Sequence, residues 1–176
     1  MLRSLALASV LLLLVTSSWG CDTDGDDGPS GSVTMMSQNL YLGGDIFAVT
    51  QVTDANQIPA AVGEIYGDAL ASDFEKRAES IADAIQAASP HLIGLQEVTT
   101  YRTQTPSDYL TGNTSVNAST VTVDFIAILM AALADRGLNY RIASTSPNAD
   151  VEFPATTDGQ TFFDVRYSDA DVILAR

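Results

Sequence analysis

The chain has 176 residues, a formal net charge of -14 at pH 7 and a hydrophobic fraction of 46%. This combination suits one globular domain with an ordinary core, and it excludes a fibrous or wholly disordered chain. The 8 Lys and Arg residues are scattered among 22 Asp and Glu residues, which excludes a basic stripe that could follow a nucleic-acid backbone.

The first 20 residues have the order of an export signal. Arg3 precedes an apolar run from Leu5 to Val15, and the segment closes at Ser18-Trp19-Gly20. The apolar run is shorter than the roughly 20 residues that a transmembrane helix needs. We therefore expect residues 1–20 to be a signal peptide and the protein to be exported, as a cell-envelope lipoprotein or in secreted or periplasmic form.

Cys21 is the only cysteine of the chain and follows this segment directly. Bacterial lipoproteins carry their acylated cysteine at this place, although Ser18 stands where they usually have Leu. We expect Cys21 to be a lipidation site and a membrane tether, with ordinary cleavage and a free thiol as the alternatives. Residues 21–32 are expected to form a solvated acidic linker. Their alternating acids resemble a calcium loop, but Asp27 and Val33 stand where such a loop has Gly and Glu.

The folded part is predicted to begin with a strand over residues 33–40. A glycine-rich segment follows, in which Gly43 and Gly44 allow a sharp turn or a close approach to a ligand. A plain turn with a helix cap at Asp45 is the alternative. Residues 47–71 show no sustained period, and we expect a long loop with at most one helical turn.

A helix and a second strand are predicted next. Ser72 and Glu75 match a capping box, and Ser89-Pro90 ends the pattern. The strand over residues 92–98 is apolar until Glu97. The apolar positions of the helix are Phe74, Ala78, Ile81, Ala82, Ile85 and Ala88.

Strand, helix and strand in this order form the unit of parallel sheets. Asn39 and Glu97 should then lie at equivalent carboxyl ends of two strands, where the ligands of such sheets gather.

After the second strand, the pattern predicts a polar stretch over residues 99–120 and then a helix that ends at Gly137. A strand over residues 138–142, a loop over 144–159 and closing strands over 162–166 and 171–175 are predicted to follow. The apolar face of the helix consists of Phe125, Ile128, Leu129, Ala132 and Leu133.

Three segments together resemble the endonuclease/exonuclease/phosphatase superfamily. They are residues 37–45 around Asn39, the strand over residues 93–98 with its Gln-Glu pair, and the final residues 169–176. The resemblance implies an α/β fold of the α+β type, a four-layer α/β/β/α sandwich, and metal-dependent cleavage of phosphoester bonds. Family members continue with Asp-x-Asn and Asp-His elements, so we expect residues 33–176 to be the amino-terminal portion of such a domain.

The resemblance also assigns roles to single residues. Glu97 matches the magnesium-binding glutamate of the family, and Asn39 matches the asparagine that lies beside the metal and helps to hold the phosphate. A carboxylate suits a hard divalent cation, so Mg²⁺ or Mn²⁺ is the expected cofactor. A carboxylate that only caps the strand is the alternative for Glu97.

Arg166 and Tyr167 are weaker candidates for substrate binding. At the end of a strand, the guanidinium and the hydroxyl could contact phosphate. Strand pairing or a surface role is the alternative for both. Asp45, Asp169 and Asp171 either join a second metal shell or mark turns.

The sequence thus predicts an exported, metal-dependent phosphoesterase of the phosphodiesterase, nuclease or phosphatase type. Its acidic balance favours small phosphoesters or lipid headgroups over nucleic acid, because the negative field repels long polyanions. No protein partner can be inferred. His91, the only histidine, is expected at the far end of the strand from Glu97, so it does not replace the general base of the family. The alternative is a truncated, non-catalytic exported lipoprotein or binding domain.

Overall fold

The computed structural model of the chain describes residues 31–176. The predicted signal peptide, the lipidation site at Cys21 and nearly all of the acidic linker lie outside these residues. Residues from Val33 to Arg176 cluster into one unit. No helix within the described range is long and apolar enough to cross a membrane.

The described residues form one six-stranded sheet and three α-helices, which confirms the mixed α+β class. Short 3₁₀ helices lie at Ile46–Gln51, Ala55–Gln57 and Tyr109–Thr111. The main elements are β1 Met35–Asn39, α1 Ile58–Ala71, α2 Phe74–Ala88, β2 Leu92–Gln96, β3 Thr100–Gln104, β4 Thr120–Asp124, α3 Phe125–Asp135, β5 Arg141–Ala155 and β6 Phe163–Ala175.

β2 and β3 lie end to end along one edge of β6. β2 pairs antiparallel with residues 172–175 of β6, and β3 pairs antiparallel with residues 164–168. Between them, Val98 and Ala170 exchange backbone hydrogen bonds of 3.0 and 3.2 Å. β1 runs parallel to β2, β4 runs antiparallel to β3, and β5 follows the other edge of β6. Glu97 therefore lies in the short break between β2 and β3, which otherwise follow one edge of β6.

The parallel pairing of β1 and β2 through α2 confirms the predicted strand–helix–strand unit. The start of α2 differs by one residue from the prediction. Its N-cap is Asp73, whose side chain accepts from Lys76 N, whereas the Ser72 hydroxyl donates to the carbonyl of Ala69. The helix ends at Ala88, as its pattern predicted.

Two predicted loops were wrong, and the polar stretch predicted over residues 99–120 contains β3 and the start of β4. Residues 58–71 form α1, in which Val62, Tyr66 and Ala69 share one buried face. The glycines of this helix weakened its sequence signal, because they lower helix propensity. β5 continues to Ala155 through the expected loop, since β6 pairs with it almost throughout.

The two predicted closing strands are one strand, β6. Tyr167, Ser168 and Asp169, expected between them, pair with β5 in its middle. The polar residues did not reveal a strand, because exposed positions of a sheet tolerate polar side chains when the backbone is paired.

Helices cover the sheet on both faces. α2 and α3 pack against Ile93, Leu95 and Leu174, whereas α1 packs against a cluster that includes Val165 and Tyr167. Alternate residues of a strand point to opposite faces of its sheet. Leu174 therefore lies on one face of β6, whereas Val165 and Tyr167 lie on the other.

Gly63 of α1 allows that helix to approach the end of β5. A Cβ atom at residue 63 would lie 2.1 Å from the carbonyl oxygen of Thr156, whereas one at Gly67 would meet nothing within 4 Å. We expect Gly63→Ala to lower the free energy of unfolding by about 1–3 kcal/mol. Gly67→Ala, the matched control, should raise it by about 0.5–1 kcal/mol. Urea unfolding followed by circular dichroism measures both, and equal effects would contradict the close contact.

Candidate functional site

Glu97 occupies the interruption between β2 and β3 with an unusual backbone. Its φ angle is +56°, in the left-handed region that residues other than glycine rarely adopt. Its Oε1 accepts from Asn39 Nδ2 at 2.7 Å, and its Oε2 accepts from the backbone N–H of Leu42 at 2.7 Å. The carboxylate is thereby held in one orientation at the end of the sheet.

Asn39 ends β1 directly beside this carboxylate, as the two strand ends predicted. Its Oδ1 accepts from the N–H of Tyr41 at 2.6 Å, which fixes the amide so that its Nδ2 faces Glu97. Each Glu97 oxygen accepts one of these hydrogen bonds and keeps electron pairs for another partner. Asn39 in this structure orients Glu97, and the carboxylate retains the capacity to bind a cation.

Asp169 of β6 shares a hydrogen-bonding neighbour, Thr99, with Glu97. The buried Thr99 hydroxyl lies 3.2 Å from the carbonyl oxygen of Glu97 and 3.5 Å from Asp169 Oδ1. Asn148 Nδ2 donates to Asp169 Oδ2 at 3.0 Å. Of the other expected acids, Asp45 caps a 3₁₀ helix by accepting from Phe47 N.

Burial and nearby negative charge raise the pKa values of two tyrosines close to the site. Burial raises the pKa of Tyr167 to about 12, and the charges of Asp169 and Glu97 add to the shift. Burial and nearby tyrosines and carboxylates, including Asp169 and Glu97, also raise the pKa of Tyr101. Both phenols therefore keep their protons to a higher pH than an exposed tyrosine does.

The Tyr167 shift gives a testable pH dependence. The pKa is raised from 10.0 to about 12, so the neutral phenol stabilises the fold below pH 10, and this contribution disappears as the pH rises towards about 12. We expect Asp169→Asn to lower the pKa of Tyr167, whereas Asp171→Asn, at an exposed position of the same strand, should leave it unchanged. Ultraviolet titration of phenolate, assigned with Tyr167→Phe, measures the pKa; equal values in both variants would contradict the proximity of Asp169.

Arg166 and Tyr167 do not converge on one ligand. Both lie inside β6, so the premise that they end a strand was wrong. As neighbours on a strand they face opposite sides of the sheet. Arg166 forms an ion pair with Asp150 at 2.7 Å, and Tyr167 is buried in the cluster under α1.

His91 directly precedes β2, at the other end of that strand from Glu97. It is exposed, and its Nδ1 accepts from the N–H of Thr34 at 3.0 Å. The expectation that His91 is a surface residue remote from Glu97 agrees with this position.

The sequence reasoning missed a group of acids elsewhere in the fold. Asp108, Glu152 and Asp164 each place one carboxylate oxygen within 4.8 Å of the others, and such a group could hold a metal ion. Glu152 lies between Val151 and Phe153, and Asp164 is likewise flanked by apolar residues. Glu97 is marked by a related pattern, an acid that closes an otherwise apolar strand, whereas Glu152 lies in a segment that the sequence predicted to be a loop.

An apolar cavity of about 360 Å³ lies between the sheet and α1. Tyr101 and Tyr167 form part of its wall, and the charges of Glu97 and Asp169 act on both tyrosines. The Tyr101 hydroxyl donates to the carbonyl of Leu42 at 3.2 Å, and the N–H of Leu42 donates to Glu97, so Leu42 links the wall of the cavity to the Glu97 site.

Comparison of the chain with family models, with curated proteins and with solved structures gives no match.

Proposed function

We propose that the protein is an exported phosphoester hydrolase of the endonuclease/exonuclease/phosphatase type, and that it uses Mg²⁺ or Mn²⁺ held by Glu97. The observation that carries this proposal is the left-handed backbone of Glu97, with its carboxylate held by Asn39 and by the N–H of Leu42. A strained residue of this kind costs about 1–3 kcal/mol, and such residues cluster at functional sites.

The donors at this site fit a divalent cation. Glu97 offers carboxylate oxygens with free electron pairs, and Asn39 keeps them in place through its hydrogen bond of 2.7 Å. A second-shell partner of this type raises the affinity of a metal site, because the ligand is already oriented before the metal binds. When bound, the cation would polarise a phosphoryl oxygen and lower the pKa of water. Asp169 adds negative charge to the surroundings of Glu97.

A four-layer sandwich remains part of the proposal. On the face opposite α2 and α3, α1 covers only the part around Val165 and Tyr167, and the part at β1 and the end of β6 carries Met35, which is 70% exposed, and Ile173, which is 46% exposed. A second sheet packed on this face would bury both side chains.

The substrate proposed is a small phosphoester or a lipid headgroup. The net charge of -14 would repel a long polyanion, whereas a small phosphoester presents one or two charges that a cation can offset. Acylation of Cys21 would place such an enzyme at a membrane surface.

A non-catalytic domain that binds phosphate groups through a cation is the second candidate, because the hydrogen bonds from Asn39 and Leu42 would hold Glu97 as a cation ligand whether or not water is activated. A binding domain would keep the cation and the phosphate contacts without a group that activates water.

Hydrolysis of bis(4-nitrophenyl) phosphate by the full-length exported protein separates the two candidates. Chelation should abolish hydrolysis, and Mg²⁺ or Mn²⁺ should restore it. A chelated protein that binds Mn²⁺ again but hydrolyses neither this diester nor 4-nitrophenyl phosphate would favour the binding domain.

A further inference from the structure

A second group of acids lies where the β5–β6 hairpin meets the segment that follows β3. Its three carboxylates belong to Asp108, Glu152 and Asp164, and their ligand oxygens lie within 4.8 Å of one another. Glu152 is 5% exposed and Asp164 is 0% exposed. None of these carboxylates takes part in the salt bridges of the described residues. Three acidic groups thus share a largely buried space without a salt bridge among the described residues, since Arg166, which lies opposite Glu152 in the sheet, is paired with Asp150.

The same group contains the unsatisfied buried acceptors of the described residues. These atoms are Asp108 Oδ1, Asn117 Oδ1 and Glu152 Oε1. Hydrogen bonds join the three residues, since Asn117 donates through Nδ2 to Asp108 Oδ2 at 2.9 Å and through its backbone N–H to Glu152 Oε2 at 2.8 Å. An unsatisfied buried acceptor costs about 1–3 kcal/mol, and more when it is charged.

A cation satisfies this arrangement better than a water molecule does. One water has two hydrogens to donate, so it leaves at least one of the three acceptors unsatisfied and does not offset the charge. A divalent cation binds several oxygens at once and offsets much of the charge of the carboxylates.

We propose that Asp108, Glu152 and Asp164, together with Asn117 Oδ1, form a structural Ca²⁺ site. The ligand oxygens of the three carboxylates all lie within 4.8 Å of one another, close enough to share one Ca²⁺, whose bonds to oxygen are about 2.3–2.6 Å long. Mg²⁺ demands a near-ideal octahedral geometry and usually keeps several waters, which suits a buried site less well than the flexible coordination of Ca²⁺ does.

This Ca²⁺ site would fasten the segment after β3 to the β5–β6 hairpin. Asp164 already accepts from the Ser107 hydroxyl and from the N–H of Asp108 at 2.9 Å, and Glu152 accepts from the N–H of Ala118 at 2.8 Å. Bound Ca²⁺ would add ligand bonds between the same elements, so it should stabilise the folded state.

Calorimetric titration of the chelated full-length protein with CaCl₂ tests the site. We expect saturable Ca²⁺ binding and a melting temperature that rises more in Ca²⁺ than in equal Mg²⁺. Glu152→Gln should weaken Ca²⁺ binding at least 10-fold, whereas Glu64→Gln, which removes the same charge from an exposed position of α1, should bind like the wild type. Glu97→Gln should also keep this binding, which separates the Ca²⁺ site from the proposed catalytic site.

Absence of saturable Ca²⁺ binding to the wild type would overturn the proposal, and this measurement depends on no variant. Equal Ca²⁺ affinity in Glu152→Gln and Glu64→Gln would also overturn it. If Glu152→Gln does not fold, Asp108→Asn at the half-buried edge of the site takes its place, with the same 10-fold loss expected. Equal stabilisation by Mg²⁺ and Ca²⁺ would contradict the choice of Ca²⁺.

Discussion

Glu97→Gln is expected to lower metal-dependent phosphoester hydrolysis by about 100-fold or more, because the amide removes the charge that binds the cation. In the native protein, Asn39 and Leu42 each donate a hydrogen bond to one oxygen of the Glu97 carboxylate. The side chain of Gln has a single acceptor oxygen, so its NH₂ group would face one of these two donors. One hydrogen bond is therefore lost, and a modest loss of stability of about 1–3 kcal/mol should accompany the loss of activity.

Controls separate lost chemistry from lost structure in this variant. Glu64→Gln removes one charge from an exposed helix position and should keep full activity. Asn39→Ala leaves the carboxylate charge but removes its orienting donor, so the rate should fall by an intermediate factor of about 10–100. Circular dichroism at the assay temperature shows whether each variant is folded. A folded Glu97→Gln protein with the wild-type rate and metal dependence would refute the assignment.

Phe74→Ala is expected to have the largest effect on stability, a loss of about 3–5 kcal/mol. The Phe74 ring is 3% exposed and stacks on Phe125, with ring centroids 3.7 Å apart and planes within 2°. The guanidinium of Arg77 lies 5.0 Å from the Phe74 ring centroid, so truncation also removes a cation–π contact. The variant therefore leaves a cavity at the contact between α2 and α3.

Phe47→Ala makes the same chemical change at a side chain that is 71% exposed. Its effect on the free energy of unfolding should stay within about 0.5 kcal/mol, because little buried surface is lost. Urea unfolding of both variants measures the difference. Similar losses in the two proteins would show that the contact between Phe74 and Phe125 does not anchor the core.

The Asn39–Glu97 contact was predictable from the sequence although 58 residues separate the pair. Each residue ends a strand, and a helix joins the two strands, so the rule for parallel strands brings both ends to one edge. The structure added the hydrogen-bond donor from Leu42 and the left-handed backbone of Glu97. Neither follows from a pattern of residue types, because both depend on how β2 is interrupted beside β6.

The missed elements share a different cause. Helix α1 contains Gly63 and Gly67, which reduce helix propensity, yet packing against β5 compensates for them. The first half of β5 is polar and exposed, and hydrogen bonds to β6 hold it as a strand. Patterns of hydrophobicity report burial, so they do not detect a strand whose stability comes from backbone pairing.

By itself the sequence determined the mixed class, the α2 and α3 helices and the meeting of Asn39 with Glu97, because amphipathic periods and strand order are local properties. Only the tertiary structure decided that Arg166 and Tyr167 face opposite sides of one long strand. It also decided that Asp108 approaches Asp164, which lies 56 residues later in the chain. No pattern of residue types links these two positions. Such contacts depend on sheet register and on how a loop folds over a hairpin, and a one-residue change of register would move every side chain to the other face.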